Sequence, residues 1–480
     1  MILKEKLNIE PGFKYVVDSM ELMSSAGHRM LMQQPFLTDA ATIEREFDNL
    51  QSVIACMTCA DNASHISVIR HQLMQMHDLH GTLSNLEHHI VLEEVELFEL
   101  KSLAFLCIET VKASECLGIS EILDIPSLVD VFRLLDPDNT NIPNFYIYDS
   151  YHPELAPLRK ELRAKQSRLD AANLSADEVA ELQTSVIALF DKQNGLQQKV
   201  ISVLCDKLHA HHAQLQKALE RMAYTDVLFA KATLAMQWRL TRPRLTVDAP
   251  LSLTGLWNPR LKQRNEEQGL RYQPVDITLH RGVCLITGAN MAGKTVLLKS
   301  VGIVQMMAQF GMFVPAESAM LPVVDDVAFC IGDEQNEMNG LSSFASEILK
   351  ISDLLERSDR ERMLVLIDEP ARTTNPVEGK AIVQAIAAIL DARSSTTLIT
   401  THYSQLGLGC RRLRVKGFVS DMLNESVTPD NINKFMDYSL LEDSSDDVPH
   451  EAIRIATLLK CYKPLLDSTV AFLEASGDNR

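Results

Sequence analysis

From about Phe13 to Leu240, apolar residues recur at three- and four-residue steps among many alanines, leucines, methionines, glutamines and glutamates, with few glycines. That periodicity predicts helices almost throughout. The run Val91 to Leu100 reads as part of one of them, although its alternation also suits a strand. Proline, aspartate and asparagine gather between Asp136 and Pro153, which marks a connection. Glu154 to Gln237 then predicts two long helices joined near Ala171 to Asp177, the second capped by Ser175 with Glu178 completing a capping box. After Arg242-Pro243-Arg244 the pattern changes to short β-rich runs that alternate with helices to about Leu408. Strands are expected at 283–287, 363–367 and 396–400, with helices at 295–310 and 379–390. The fold class is therefore mixed: an all-α domain over 1–240, whose long helices form a lever or a coiled hairpin, followed by an α/β domain over 241–480. Its sheet is expected to be mostly parallel and covered on both faces. A closing helical segment runs from Pro449 to Ala475.

Composition adds exclusions. The 480 residues hold 46 Lys plus Arg against 64 Asp plus Glu, a formal charge of −18. Such an acidic chain disfavours non-specific adhesion to nucleic acid or anionic membranes. No apolar run approaches the ~20 residues of a bilayer-spanning helix, and Lys4, Glu5 and Lys6 are not followed by the apolar stretch of a leader. Nine scattered cysteines suit a reducing compartment. A cytoplasmic protein without a membrane partner is expected.

Gly288-Ala289-Asn290-Met291-Ala292-Gly293-Lys294-Thr295 matches G-x-x-x-x-G-K-[ST] in full, directly after a buried strand and at the opening of a helix. Backbone N–H groups of such a loop, reinforced by the helix N-terminus, wrap nucleotide phosphates. Lys294 is placed to reach the β and γ phosphates of ATP, and Thr295 to ligate Mg²⁺. Eighty residues on, Met363 to Ile367 ends in Asp368-Glu369. Asp368 suits the Mg²⁺ shell and Glu369 the attacking water, so the pair predicts a P-loop NTP hydrolase. His402, just past the third strand, is placed beside the γ-phosphate as a neutral sensor.

Together with Phe313-Val314-Pro315-Ala316, Gly340-Leu341-Ser342-Ser343-Phe344 and Thr401-His402-Tyr403, these motifs resemble the ATPase domain of the MutS family over about Leu253 to Leu406. Gly255 to Arg260, with Asn258-Pro259 in place of His-Pro, resembles the entry to that domain. Gly27 to Asp39 resembles the start of the family's helical core, and Ala218 to Ala232 its returning lever helix. The resemblance implies that Asn290 joins Lys294 and Thr295 at the phosphates, and that Ser342 is offered in trans to the partner's γ-phosphate across a homodimer, or a heterodimer, of ATPase domains. It implies a nucleotide-gated dimeric clamp acting on mismatched or branched DNA. After Asp368-Glu369 the family pattern Ile-Gly-Arg-Gly-Thr is here Pro370-Ala371-Arg372-Thr373-Thr374.

Against the family the chain starts near the helical core, so the mismatch-recognition and connector domains are expected to be missing and the lever tip, about 154–206, to be short. Between Glu154 and Lys207 eight basic side chains face eight acidic ones. In truncation the chain is similar to MutS-like proteins found beside genes for cobalamin-dependent aminomutases. That type implies a different role: an ATP-dependent remodeller or reactivator of a partner enzyme, without DNA. Cys56-Met57-Thr58-Cys59 and the clustered histidines, including His88, His89, His209, His211 and His212, read as packing and surface residues, because one C-x-x-C pair does not complete a zinc site.

Overall fold

The computed structural model describes residues 1–170, 175–247, 249–288, 292–331, 343–418, 432–443, 453, 456–457, 459 and 461–475. The chain forms two compact units, one of residues 1–20, 34–50 and 233–480, the other of residues 21–33 and 51–232.

Helices are the regular elements among the second unit's described residues. Its central helix, Glu94–Leu117, buries Leu97, Leu100, Leu103, Ala104 and Cys107. It begins three residues later than the Val91 start of the run, because Glu93 and Glu96 form a capping box in which the Glu93 N–H donates to Glu96 Oε2 at 2.8 Å. The proline-rich connection is held from beneath by Lys101, a fully buried side chain. Its ammonium donates to Asp136 Oδ1 (3.0 Å), the Asn144 carbonyl (2.8 Å) and Tyr148 Oη (2.9 Å). A buried ammonium is tolerated only when its donors are satisfied. Three partners here meet that condition.

The stretch from Glu154 to Gln237 forms three helices, Leu155–Leu169, Ala176–His209 and His212–Trp238, rather than two. The extra break falls at Ala210-His211, with no glycine or proline to announce it. The expected cap at Ser175 is present: Glu178 N–H donates to Ser175 Oγ (3.4 Å) and Ser175 N–H to Glu178 Oε2 (2.9 Å). Cys56 Sγ donates to the Leu117 carbonyl at 3.4 Å, a packing contact, and Cys59 is exposed.

In the first unit ten strands are described: β1 (Arg244–Thr246), β2 (Leu251–Leu256), β3 (Val275–Leu279), β4 (Gly282–Thr287), β5 (Ser318–Pro322), β6 (Asp326–Cys330), β7 (Met363–Asp368), β8 (Thr396–Thr400), β9 (Arg411–Phe418) and β10 (Met436–Glu442). A four-stranded sheet has the order β1-β5-β2-β3 and a six-stranded sheet the order β10-β9-β4-β8-β7-β6. In the larger sheet β4 runs parallel to β8 and β9, and β7 parallel to β6 and β8, while β10 closes the edge antiparallel to β9. The apolar runs at β4, β7 and β8 are buried along their whole length because helices lie on both faces of the sheet. Val383, Ile386 and Leu390 of helix Pro376–Asp391, with Ile351 and Leu354 of helix Ser343–Arg357, pack on Val283, Val365, Ile367 and Ile399.

Residues 1–20 and 34–50, which the sequence assigns to the helical domain 1–240, cluster instead with this unit. Aromatic packing and one buried ion pair account for the difference. Phe13 stacks on Phe310 at 5.6 Å, Phe36 meets the same ring edge-on at 5.5 Å, and Phe47 meets Phe313 at 6.2 Å. Lys6, fully buried, pairs with Asp326 at the start of β6 and donates to the Val327 carbonyl at 3.0 Å. No described helix is long and apolar enough to cross a membrane.

Candidate nucleotide-binding site

Parallel strands present their C-terminal ends along one edge of a sheet, and in open α/β sheets that edge is where ligands are held. Here β4, β7 and β8 end there in Gly288, Asp368-Glu369 and Thr400-Thr401-His402. Register makes the alignment close: Ile286 and Asp368 both pair with Thr400. The Thr401 N–H continues to the Ile286 carbonyl at 3.0 Å.

Ala289, Asn290, Met291 and Ser342 lie outside the described residues. Ala292 is buried. Gly293 caps the helix Lys294–Gln309 with φ of 75°, a left-handed conformation that glycine adopts without steric cost. Lys294 opens that helix and is buried; its Nζ donates to the Gly288 carbonyl at 2.6 Å and lies 3.4 Å from Glu369 Oε1. The next residue, Thr295, donates from Oγ1 to Asp368 Oδ2 at 2.7 Å.

Thr400, a residue the sequence reading passed over, ties the Asp368 carboxylate to the Glu369 backbone. Its hydroxyl donates to Asp368 Oδ1 at 2.5 Å and accepts the Glu369 N–H at 3.0 Å. The position opposite Asp368 across a parallel strand pair was the available signal. Glu369 has φ of 45°, and its Oε2 lies 3.5 Å from Arg372, so its carboxylate stands between two cations.

Two further residues build the turn that follows. The Ala371 N–H donates to Glu347 Oε1 at 3.0 Å and its carbonyl accepts the Tyr403 hydroxyl at 3.0 Å. Gly379 makes room for that hydroxyl, since a Cβ there would come within 2.1 Å of Tyr403 Oη. Burial raises the Glu347 carboxyl above its ordinary range. His402 sits half-buried beside this cluster. Burial lowers its imidazole below the usual value, Lys294 and Arg372 act in the same direction, and Glu369 opposes them, so the ring is neutral at pH 7. The Lys294 ammonium, the Thr295 and Thr400 hydroxyls, the Asp368 and Glu369 carboxylates and the neutral His402 imidazole thus meet where a glycine loop enters a helix.

Residues 284–446 match the family model described as MutS domain V. A DNA mismatch repair protein MutS of Chlamydia trachomatis serovar L2b is 32% identical over 259 residues, 52% of this chain and 31% of that protein. An endonuclease MutS2 of Agathobacter rectalis is 34% identical over 231 residues, 48% of this chain and 28% of its own. The chain spans about a third of the length of these curated relatives. The matched span holds every residue of the cluster just described, and over that span the chain is similar to domain V, the ATPase domain, of MutS proteins.

Proposed function

We propose that the chain binds and hydrolyses ATP with Mg²⁺ on a phosphate-loop NTPase fold, and that two copies, or one copy and a related subunit, close on the nucleotide to form a switchable clamp. The observation that carries this reading is the 2.7 Å contact between the Thr295 hydroxyl and Asp368. A hydroxyl and a carboxylate, both hard oxygen donors, are held together at the foot of the helix that opens on Lys294, and this donor set fits Mg²⁺. Bound there, the ion neutralises charge on the phosphate oxygens. Gly288 to Thr295 hold the phosphates, with Lys294 turning from the Gly288 carbonyl towards them. Glu369 orients the attacking water and takes its proton, while Lys294 and Arg372 fix its carboxylate. His402, kept neutral by burial, reads the γ-phosphate. Asn290 assists at the phosphates, and Ser342 reaches the partner subunit's nucleotide.

By the names of its relatives the clamp acts on DNA. One observation favours a protein client instead: the span from Glu154 to Lys207, which covers nearly all of the helical pair Leu155–Leu169 and Ala176–His209, balances eight basic against eight acidic side chains, in a chain of net charge −18. Retardation of mismatched or branched duplex that falls steeply with salt supports the first; stimulation of ATP turnover by a co-purifying enzyme, with no retardation at low salt, supports the second. The nucleotide reading itself is tested by two variants. Lys294→Ala should abolish ATP binding, whereas Glu369→Gln should bind ATP, lose turnover and accumulate as the closed dimer by sedimentation. Normal turnover in Glu369→Gln would remove the assigned base.

A further inference from the structure

Within the first unit, a cleft of about 540 Å³ opens between helices Pro11–Asp18, Pro259–Glu267 and Lys294–Gln309. Its size is that of a small-molecule site. Three cations line it, Arg260 and Arg264 one turn apart on one helix and Lys299 on another, and none has an ion-pair partner among the described residues. Like charges four residues apart on a helix repel, and an anion between them relieves the repulsion. Facing them is Glu10, only 2% exposed. One of its oxygens accepts the Gly12 N–H at 2.8 Å; the other, Oε2, is buried with no hydrogen-bond partner. A buried carboxyl oxygen without a partner is costly unless a ligand supplies one. Burial raises the Glu10 carboxyl above its ordinary range, with the Gly12 N–H, Lys299 and Arg260 pulling it partly back. Leu261 and Val296 add apolar wall, and Tyr15 is braced by stacking on Trp238 at 5.9 Å.

We propose that this cleft is a second ligand site that takes a small hydroxylated phosphomonoester, its phosphate held by Arg260, Arg264 and Lys299 and a hydroxyl by Glu10 Oε2. The three cations outnumber the two carboxylates of the lining, Glu10 and Glu267, which favours an anion, and the buried acceptor selects a ligand with a hydrogen to donate. The site stands apart from the nucleotide reading and does not depend on it. It does touch the same helix, because Val296 and Lys299 follow Thr295, so its ligand is positioned to shift affinity at the phosphate loop.

Ribose 5-phosphate is a suitable probe, titrated into the full chain and followed by ligand-observed NMR. Saturable binding at millimolar concentration is expected. Arg260→Gln with Arg264→Gln, both at exposed positions, should weaken it by about tenfold or more. Glu10→Gln should weaken ribose 5-phosphate and leave inorganic phosphate unchanged. Lys294→Ala should bind the probe like the parent. Absence of saturation, indifference to the arginine pair, or equal affinity for inorganic phosphate would overturn the proposal; so would loss of binding in Lys294→Ala, which places the probe in the phosphate loop.

Discussion

Replacing Thr400 by valine removes one hydroxyl and keeps the shape of a side chain that is fully buried. That hydroxyl donates to the Asp368 carboxylate at 2.5 Å, a hydrogen bond to a charged group, and such bonds contribute about 1.5–3 kcal/mol. The Glu369 N–H loses the same hydroxyl as acceptor but keeps the Thr400 carbonyl at 3.1 Å, so little is added on that side. In a unit of this size the loss lowers the melting midpoint by about 3–12 °C. Among the described residues Asp368 is then oriented by Thr295 alone, and loss of such a supporting contact weakens metal binding by about 10- to 100-fold. Thermal denaturation reads the first quantity, and the Mg²⁺ dependence of ATP binding reads the second. Thr400→Ser separates them: it restores the hydroxyl and loses a buried methyl, about 1 kcal/mol, so it should melt below the parent yet retain the parent's Mg²⁺ dependence. A valine variant that melts with the parent, or a serine variant that loses Mg²⁺ as valine does, refutes the reasoning.

Two predictions concern the helical unit. Burial pushes the Asp136 carboxyl up, but bonds from Thr140, the Asn141 N–H and Lys101 outweigh it and hold the group at about 2. A depressed carboxylate stabilises fully above its unfolded value near 4, and that stabilisation, about 2.5 kcal/mol, is lost as pH falls towards 2. Urea midpoints of the parent should therefore drop across pH 4.5 to 2 more steeply than those of Asp136→Asn, and parallel curves would contradict the assignment. Ser175→Ala removes the cap of helix Ala176–His209 at a cost of about 1 kcal/mol; faster amide exchange confined to its first turn is expected, and unchanged protection would count against it.

Much of this architecture is legible in the order of apolar and polar residues. Short runs of apolar and β-branched residues bounded by turn residues place β4, β7 and β8 to within a residue, because a strand buried on both faces carries no charged position before its end. The cap at Ser175 is equally local and equally readable. What is not local escapes. The break at Ala210-His211 has no breaker residue, and the association of residues 1–20 and 34–50 with the strands depends on Phe13, Phe36 and Phe47 meeting Phe310 and Phe313 across more than 250 residues of chain. At the site, a phosphate-loop motif and an apolar run ending in Asp-Glu are linear signals. Thr400 and Glu347 act through register and tertiary contact, so a linear pattern does not single them out. Asn290 and Ser342 rest on the motif and the family resemblance.

The turn after Asp368 shows why those non-local residues matter. Glu369 and Ala371 both have left-handed φ, 45° and 59°, without being glycine. Each such residue costs about 1–2 kcal/mol, and the conformation persists only where its surroundings over-determine it. The family pattern has glycine at the position of Ala371, which would adopt this shape freely. In this chain the shape is imposed from three sides: Thr400 on the Glu369 N–H, Glu347 on the Ala371 N–H, and Tyr403 on the Ala371 carbonyl. Glu347 belongs to helix Ser343–Arg357, which starts directly after Ser342. In the proposed dimer, a displacement of that helix when Ser342 meets the partner's nucleotide therefore pulls on the Ala371 N–H, and through a strained turn on the carboxylate of Glu369. A glycine at 371 would absorb the pull in its own backbone. With alanine the movement is transmitted, so under the proposed function closing of the dimer would be coupled to the placement of the Glu369 carboxylate more tightly than the family pattern alone requires.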